Sequence, residues 1–283
     1  MISDIEFDKL EDELRELNPD SYVLNIVGSN FFSADQKVAH DSKMLSLNKT
    51  YKEEDLEKWR EGKDIVSTFK IDGSSCSIVY QSKNLYLAKT RGDGSFGENI
   101  TKKAVFIESI PKVVKDLKIE NFEVRGEVFC TEENFILLSS EMEKRGLERP
   151  SSQRNIVAGL LGRKENLDLC TFLSFEAFEL ITDQGSFKTE FEKFKVLDDL
   201  GFSTPEVFLN KNEKQINERI NEAKDFMSNG NYLIDGLVFS LNDLYWHEEL
   251  GETAHHPRYK IAFKFQGEVK RTKINSITWQ VSR

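Results

Sequence analysis

Apolar residues recur at two different periods along this chain, and the change of period marks its organisation. At the start, Phe7, Leu10, Leu14 and Leu17 repeat at helical spacing behind a Ser3–Glu6 capping box, which predicts a helix stopping near Asn18-Pro19. A polar stretch containing Gly28-Ser29-Asn30 follows, and Met44-Leu45-Ser46-Leu47 is read as the beginning of the main domain, with a short helix over 53–59. From Ile65 the period drops to two. Ser77-Ile78-Val79-Tyr80 and Leu85-Tyr86-Leu87-Ala88 flank a polar turn and predict a hairpin; further strands are predicted over 122–129, 172–178, 232–241 and 259–265. Helices are predicted between them, over 132–145 and 190–200, and a third with Ile216, Ile220, Ala223 and Met227 on one face. Strands and helices in mixed order, without strict βαβ alternation, predict an α+β fold with antiparallel sheets.

Alternation also sorts the polar residues onto faces. In 65–72, Thr68, Lys70 and Asp72 share one face while Phe69 and Ile71 point to a core. In 259–265, Lys260 and Lys264 lie together with small Ala262 between them. In 122–129, Glu123, Arg125 and Glu127 oppose Phe122, Val124 and Val128. A lysine amine attacks only when neutral, and about a thousandth is neutral near pH 7.4, so neighbouring cations and desolvation would assist Lys70. Taken alone, the 259–265 segment is better read as a half-buried strand with two solvated lysines, and 122–129 as a cross-strand ion-pair ladder. The run Thr90-Arg91-Gly92-Asp93-Gly94 reads either as a flexible turn or as a loop whose backbone approaches phosphates, with Arg91 reaching in.

Composition excludes more than it selects. The 283 residues carry a net charge of −10, which argues against a broad nucleic-acid surface, although basic residues cluster over 154–164 and 258–273. Three widely spaced cysteines, Cys76, Cys130 and Cys170, form neither a disulfide framework nor a zinc site, and are read as buried thiols of a cytoplasmic protein. No apolar run reaches membrane-spanning length.

The order of the polar motifs is the stronger signal. Lys70-Ile71-Asp72-Gly73, Thr90-Arg91-Gly92-Asp93-Gly94, Glu123-Val124-Arg125-Gly126-Glu127, Arg154-Asn155-Ile156-Val157-Ala158-Gly159, Ile234-Asp235-Gly236-Leu237-Val238 and Pro257-Arg258-Tyr259-Lys260-Ile261-Ala262-Phe263-Lys264-Phe265 resemble, in order and spacing, the adenylation domain of NAD-dependent DNA ligases. The resemblance covers most of the chain. It implies a nucleotidyltransferase fold of the ATP-grasp-like ligase type, with a partial helical N-terminal subdomain over 1–35, the adenylation domain over 36–271 and the start of a link to an OB-fold over 272–283. It implies Lys70 as the nucleophile that takes AMP from NAD, with magnesium, Asp72 beside it in the motif, Arg91 and Glu127 at the ribose and sugar-phosphate, Asp235 and Glu127 on the metal side, and Lys264 at the α-phosphate. Ser46 and Leu47 would border the adenosine, Phe178 would stack on adenine, Arg154 would serve the nucleotide and nick, and Asp4 and Asp8 would bind the nicotinamide mononucleotide half. A role in DNA replication and repair on nicked DNA is implied.

Several positions depart from the family pattern. Thr68 stands where the family usually has glutamate and Ser240 where it has lysine, both of them residues that address the base. Phe7 replaces a tyrosine, Gly162 an arginine, and a Tyr-His pair expected ahead of Asp4 is absent. Strict alternation also places Asp235 and Ser240 on opposite faces, so both reach one cleft only if the strand bends or bulges. The chain stops about where the OB-fold would begin, and the zinc module, helix-hairpin-helix region and BRCT domain are absent. A split enzyme completed by a second chain, or an excised domain, is therefore expected. An ATP-using or RNA-joining ligase fragment, or a non-catalytic nucleotide-binding scaffold for a partner, is the alternative.

Overall fold

Two largely antiparallel sheets, each covered by helices on its outer face, enclose the site between them. The computed structural model describes residues 37–114 and 119–265, with the isolated positions Glu13 and Ser276. The first predicted helix, Asp4, Asp8 and the 272–283 link therefore lie outside the described residues.

The larger sheet runs in the order Asn48–Thr50 (β2), Lys260–Lys264 (β11), Ile234–Leu241 (β10), Ile65–Ile71 (β3) and Phe208–Asn210 (β9). The second runs Asn84–Thr90 (β5), Ser74–Gln81 (β4), Phe122–Phe129 (β7) and Ser174–Ile181 (β8), and a ribbon joins Lys37–Ala39 (β1) to Phe96–Glu98 (β6). Every described pairing within these sheets is antiparallel except β2 with β11. The hairpin at β4–β5 closes on Ser82 and Lys83, both with positive φ, which matches the right-handed twist of its strands.

Alternation along each strand divides the apolar side chains between two cores. Phe69, Leu237, Phe239, Ile261 and Phe263 pack with Leu56 of Glu53–Arg60 (α1) and Ile216, Ile220 and Ala223 of Glu213–Asn229 (α6). Each side chain of that kind contributes about 2 kcal/mol on burial. Cys76, Ile78, Val124, Val128, Phe175 and Ala177 form the other core with Thr101–Ala104 (α2), Glu132–Lys144 (α3), Gln153–Gly162 (α4) and Glu190–Asp199 (α5). All three cysteines are buried and free. A last short helix, Tyr245–Leu250 (α7), precedes β11, and no described helix is long and apolar enough to cross a membrane.

Two predicted elements are displaced. The strand expected over 172–178 begins at Ser174, because Leu167–Phe172 is a 3-10 helix closed by the Leu173 N–H on the Cys170 carbonyl. Met227 does not join the apolar face of α6; it is 47% exposed, near the helix end. Helix α4 was not predicted, although Ser152 caps it by accepting from the Asn155 N–H, and Ile156, Val157, Leu160 and Leu161 give it a buried face.

Candidate active site

Between the two sheets lies a cavity of about 340 Å³. The larger sheet presents Thr68, Lys70, Val238, Ser240, Lys260, Ala262 and Lys264 to it, and the smaller sheet presents Ser75, Arg125, Glu127 and Phe178. Thr68 and Lys70 of β3, Arg125 and Glu127 of β7, and Lys260, Ala262 and Lys264 of β11 line it as alternation assigned them. Asp72 and Glu123 do not, and Phe69 and Ile71, assigned to the core, border it as well.

Lys70, Asp235 and Lys264 meet at one end. Lys70 Nζ lies 3.1 Å from Asp235 Oδ1, and Lys264 Nζ donates to Asp235 Oδ2 at 2.7 Å. Their meeting requires a break in register. Ile234 pairs with Ile71 but Gly236 pairs with Lys70, so Asp235 is an extra residue on β10, and the bulge turns it to the Lys70 side. Gly236 has φ +151°, and a Cβ there would stand 2.0 Å from the Phe263 carbonyl, so the bulge admits only glycine. The parity conflict between Asp235 and Ser240 is resolved in this way.

The turn after Lys70 joins the two sheets. A Cβ on Gly73 would stand 2.1 Å from the Val128 carbonyl oxygen, and this close approach sets Glu127 of β7 opposite Ser75 of β4. Glu127 accepts from the Ser75 hydroxyl at 2.6 Å. Burial pushes its carboxyl up to about 7, against the Ser75 hydroxyl, Lys70, the Gly73 amide and Arg91, which favour its charged form. Asp72 lies one residue past β3 and pairs with Arg154 at 3.3 Å; Arg154 is 66% exposed, and neither residue lines the cavity.

Arg91 lines the cavity from the glycine-bearing loop, but that loop is not a free phosphate cradle. The N–H groups of Asp93, Gly94, Ser95 and Phe96 are all taken within it, by the carbonyls of Phe96 and Arg91 and by Asp93 Oδ1. Nor is it a loose turn. The functional reading narrows to the Arg91 side chain.

Arg125 belongs to the ion-pair reading of its strand: buried, it donates to Glu123, to the Ser42 and Lys43 carbonyls and to the Ser42 hydroxyl. Those bonds hold the 42–47 segment against the sheet, where Ser46 and Leu47 line the cavity. Phe178 lines it too, and stands at a second bulge. Arg125 pairs with Glu179 and Gly126 with Ala177, so Phe178 is extra, and both Phe178 and Glu179 reach the cavity.

Lys260 does not act as a free cation. Its ammonium lies 2.7 Å from Glu179 and 3.0 Å from Glu190 at the head of α5. Burial disfavours that charge, but Glu179 and Glu190 outweigh it and hold Lys260 above the usual lysine range. Burial likewise works against the Glu179 carboxylate, yet Lys260 and Arg125 hold it at about 2. Sequence reasoning missed Glu179 and Glu190; neither carries a local signal, since one sits beside a bulge and the other on a distant helix.

Among the described residues no three His, Cys, Asp or Glu side chains gather as a metal centre. Asp235 and Glu127 do offer the hard oxygens that magnesium takes when it shares a substrate's phosphates.

The model of the NAD-dependent DNA ligase adenylation domain matches residues 32–268. Curated DNA ligases align with the whole chain: 32% identical in Christiangramia forsetii, 33% in Mesomycoplasma hyopneumoniae and 34% in Thermotoga maritima, over 45%, 45% and 44% of those proteins. The chain thus spans under half the length of the curated relatives it matches. With Lys70, Arg91, Glu127 and Lys264 on one cavity, Asp235 joined to both lysines and the match spanning both sheets, the chain belongs to the NAD-dependent DNA ligase adenylation-domain family.

Proposed function

We propose that residues 36–271 adenylate themselves from NAD, forming a phosphoramidate at Lys70 and releasing nicotinamide mononucleotide. The observation that carries this is the Lys70–Asp235–Lys264 cluster at one end of a nucleotide-sized cavity. Lys70 Nζ forms a bond to the α-phosphorus as the bond to the departing phosphate oxygen breaks, and that oxygen keeps the electron pair. Lys70 sheds one proton to solvent to become a nucleophile and a second to Asp235 Oδ2, at 3.3 Å, as the phosphoramidate forms. Lys264, adjacent to Asp235, meets the charge that develops on the α-phosphate oxygens. Arg91 and Glu127 address the sugar, Ser46, Leu47 and Phe178 enclose the adenosine, and Asp72 orients Arg154 at the rim. Bound magnesium would be held by Asp235 and Glu127 and would neutralise phosphate charge. Asp4 and Asp8 are assigned the nicotinamide side by resemblance alone.

Closure of a nick in DNA would draw on duplex-holding modules of the kind expected in the rest of the relatives' length, because an acidic domain has little means of holding a duplex. Three buried free thiols suit a cytoplasmic setting. The test is intact-mass measurement after incubation with NAD or with ATP, each with magnesium. A gain of one adenylyl group from NAD on Lys70 is expected; equal labelling from ATP, or labelling elsewhere, overturns the reading.

A further inference from the structure

The far end of the cavity holds polar groups that phosphate chemistry does not use. Ser240 is 5% exposed, lines the cavity, and its Oγ has no hydrogen-bond partner. Leaving a buried hydroxyl unpaired carries a free-energy penalty, which a ligand with a matching edge would remove. Directly across the ladder from Ser240 stands Lys260, and Lys260 is held by Glu179, the neighbour of Phe178. Gly236 pairs with Lys264 and Ser240 with Lys260, so the two ends are four strand residues apart, about 13 Å. That is the scale of a nucleoside monophosphate from its phosphate to the outer edge of its base.

We propose that Ser240, Lys260 and Glu179 read the outer edge of the base and select adenine over hypoxanthine, an inference that rests on the adenylation reading above. The donor and acceptor inventory is asymmetric. Glu179 only accepts, Lys260 only donates, and the Ser240 hydroxyl does either. Adenine offers an amino donor for Glu179 and a ring nitrogen that accepts from Lys260 or Ser240. Hypoxanthine turns a carbonyl oxygen toward Glu179, which can only accept, and a ring N–H toward Lys260, which can only donate, and such a mismatch of buried groups is the strongest basis for rejecting a close analogue. Phe178 stacking is indifferent to this exchange, so the edge groups alone make the distinction.

Calorimetric titration of the whole chain with adenosine monophosphate and inosine monophosphate tests the proposal without requiring chemistry. The unaltered protein should bind the adenine nucleotide at least about tenfold more tightly. Ser240→Ala should weaken that binding severalfold while leaving the melting temperature unchanged or raised, since it removes an unpaired hydroxyl. Glu179→Gln, whose amide can turn a donor to the carbonyl, should bring the two affinities within about threefold. Equal binding of both nucleotides by the unaltered chain overturns the proposal, as does an unchanged ratio in Glu179→Gln together with unchanged binding in Ser240→Ala. If Glu179→Gln does not fold, Ser240→Ala decides. Adenylation of Lys70 from NAD without base discrimination sinks this inference and spares the proposed function; neither binding nor adenylation sinks both.

Discussion

Strands β10 and β11 run the length of the cavity with a lysine–carboxylate arrangement at each end, and the two arrangements are built in opposite ways. At the Lys70 end, two ammonium groups share the single carboxylate of Asp235, and the three side chains are 27%, 32% and 30% exposed in the order Lys70, Lys264, Asp235. At the Ser240 end, one ammonium is shared by two carboxylates, with Lys260 10% and Glu190 5% exposed. Water and screening make the first set inexpensive to rearrange, as the nucleophile proposed at Lys70 would require. Burial makes the second set rigid, because separating its charges would leave one of them unpaired in a poor solvent. On the proposed reading, reactivity and selectivity fall at opposite ends of the same two strands.

The largest effect that could break this contrast is at Lys70. Lys70→Ala should reduce adenylation by at least about a thousandfold, since the neighbouring amine, Lys264, is assigned to the α-phosphate oxygens, while shifting unfolding free energy by less than about 1 kcal/mol. Intact mass and urea melts measure the two; a large loss of stability would show that the cluster is structural. At the other end the order should reverse. Lys260→Met leaves buried Glu190 without its ion-pair partner and Glu179 with only Arg125 at 3.4 Å, and should lower stability by about 3 kcal/mol near neutral pH, against about 1 kcal/mol or less for Asp235→Asn. Equal losses in urea melts of the two variants would erase the distinction.

The pH dependence of stability sharpens the comparison further. Lys260 and Arg125 outweigh burial to hold Glu179 at about 2, below its ordinary 4.5, so between these values the unfolded chain binds the extra proton. This contribution is present above pH 4.5 and is lost as pH falls toward 2. Glu127 has the opposite sign. Burial raises it to about 7, so from pH 4.5 to 7 the native state keeps a proton that the unfolded chain has shed, and stability falls as pH rises. Glu127→Gln should flatten that fall by about 1–2 kcal/mol in melts across the window. Glu176, also raised to about 7 by burial and then by Glu206, would retain its own share. An unaltered pH profile in Glu127→Gln would remove Glu127 as a buried titrating group. The smallest effect is expected at the rim: Arg154 is 66% exposed, so Arg154→Ala should change stability by less than about 0.5 kcal/mol. A larger loss would mean that its pairing with Asp72 anchors the turn after β3.

Much of the site could be read from residue order alone. The side chains of a strand alternate by backbone geometry, so Thr68 and Lys70, Glu127, and Lys260, Ala262 and Lys264 were assignable to one face of their strands before any partner was known. The same rule exposed the conflict between Asp235 and Ser240 and required a bend or a bulge, of which β10 contains the bulge. Departures at Thr68 and Ser240 were equally plain, being matters of identity. What alternation cannot supply is the register between strands and the position of an extra residue, because both are settled by packing between segments far apart in the chain. Glu179 reaches the cavity only because Phe178 is unpaired opposite β7, and Lys260 is neutralised by a helix some seventy residues earlier in the chain. The unpaired hydroxyl of Ser240 is likewise a property of its enclosed position. Periodicity is local and was written in the residues; neutralisation, burial and the spacing of the two ends depend on long-range contacts, and exist only once both sheets have closed on the cavity.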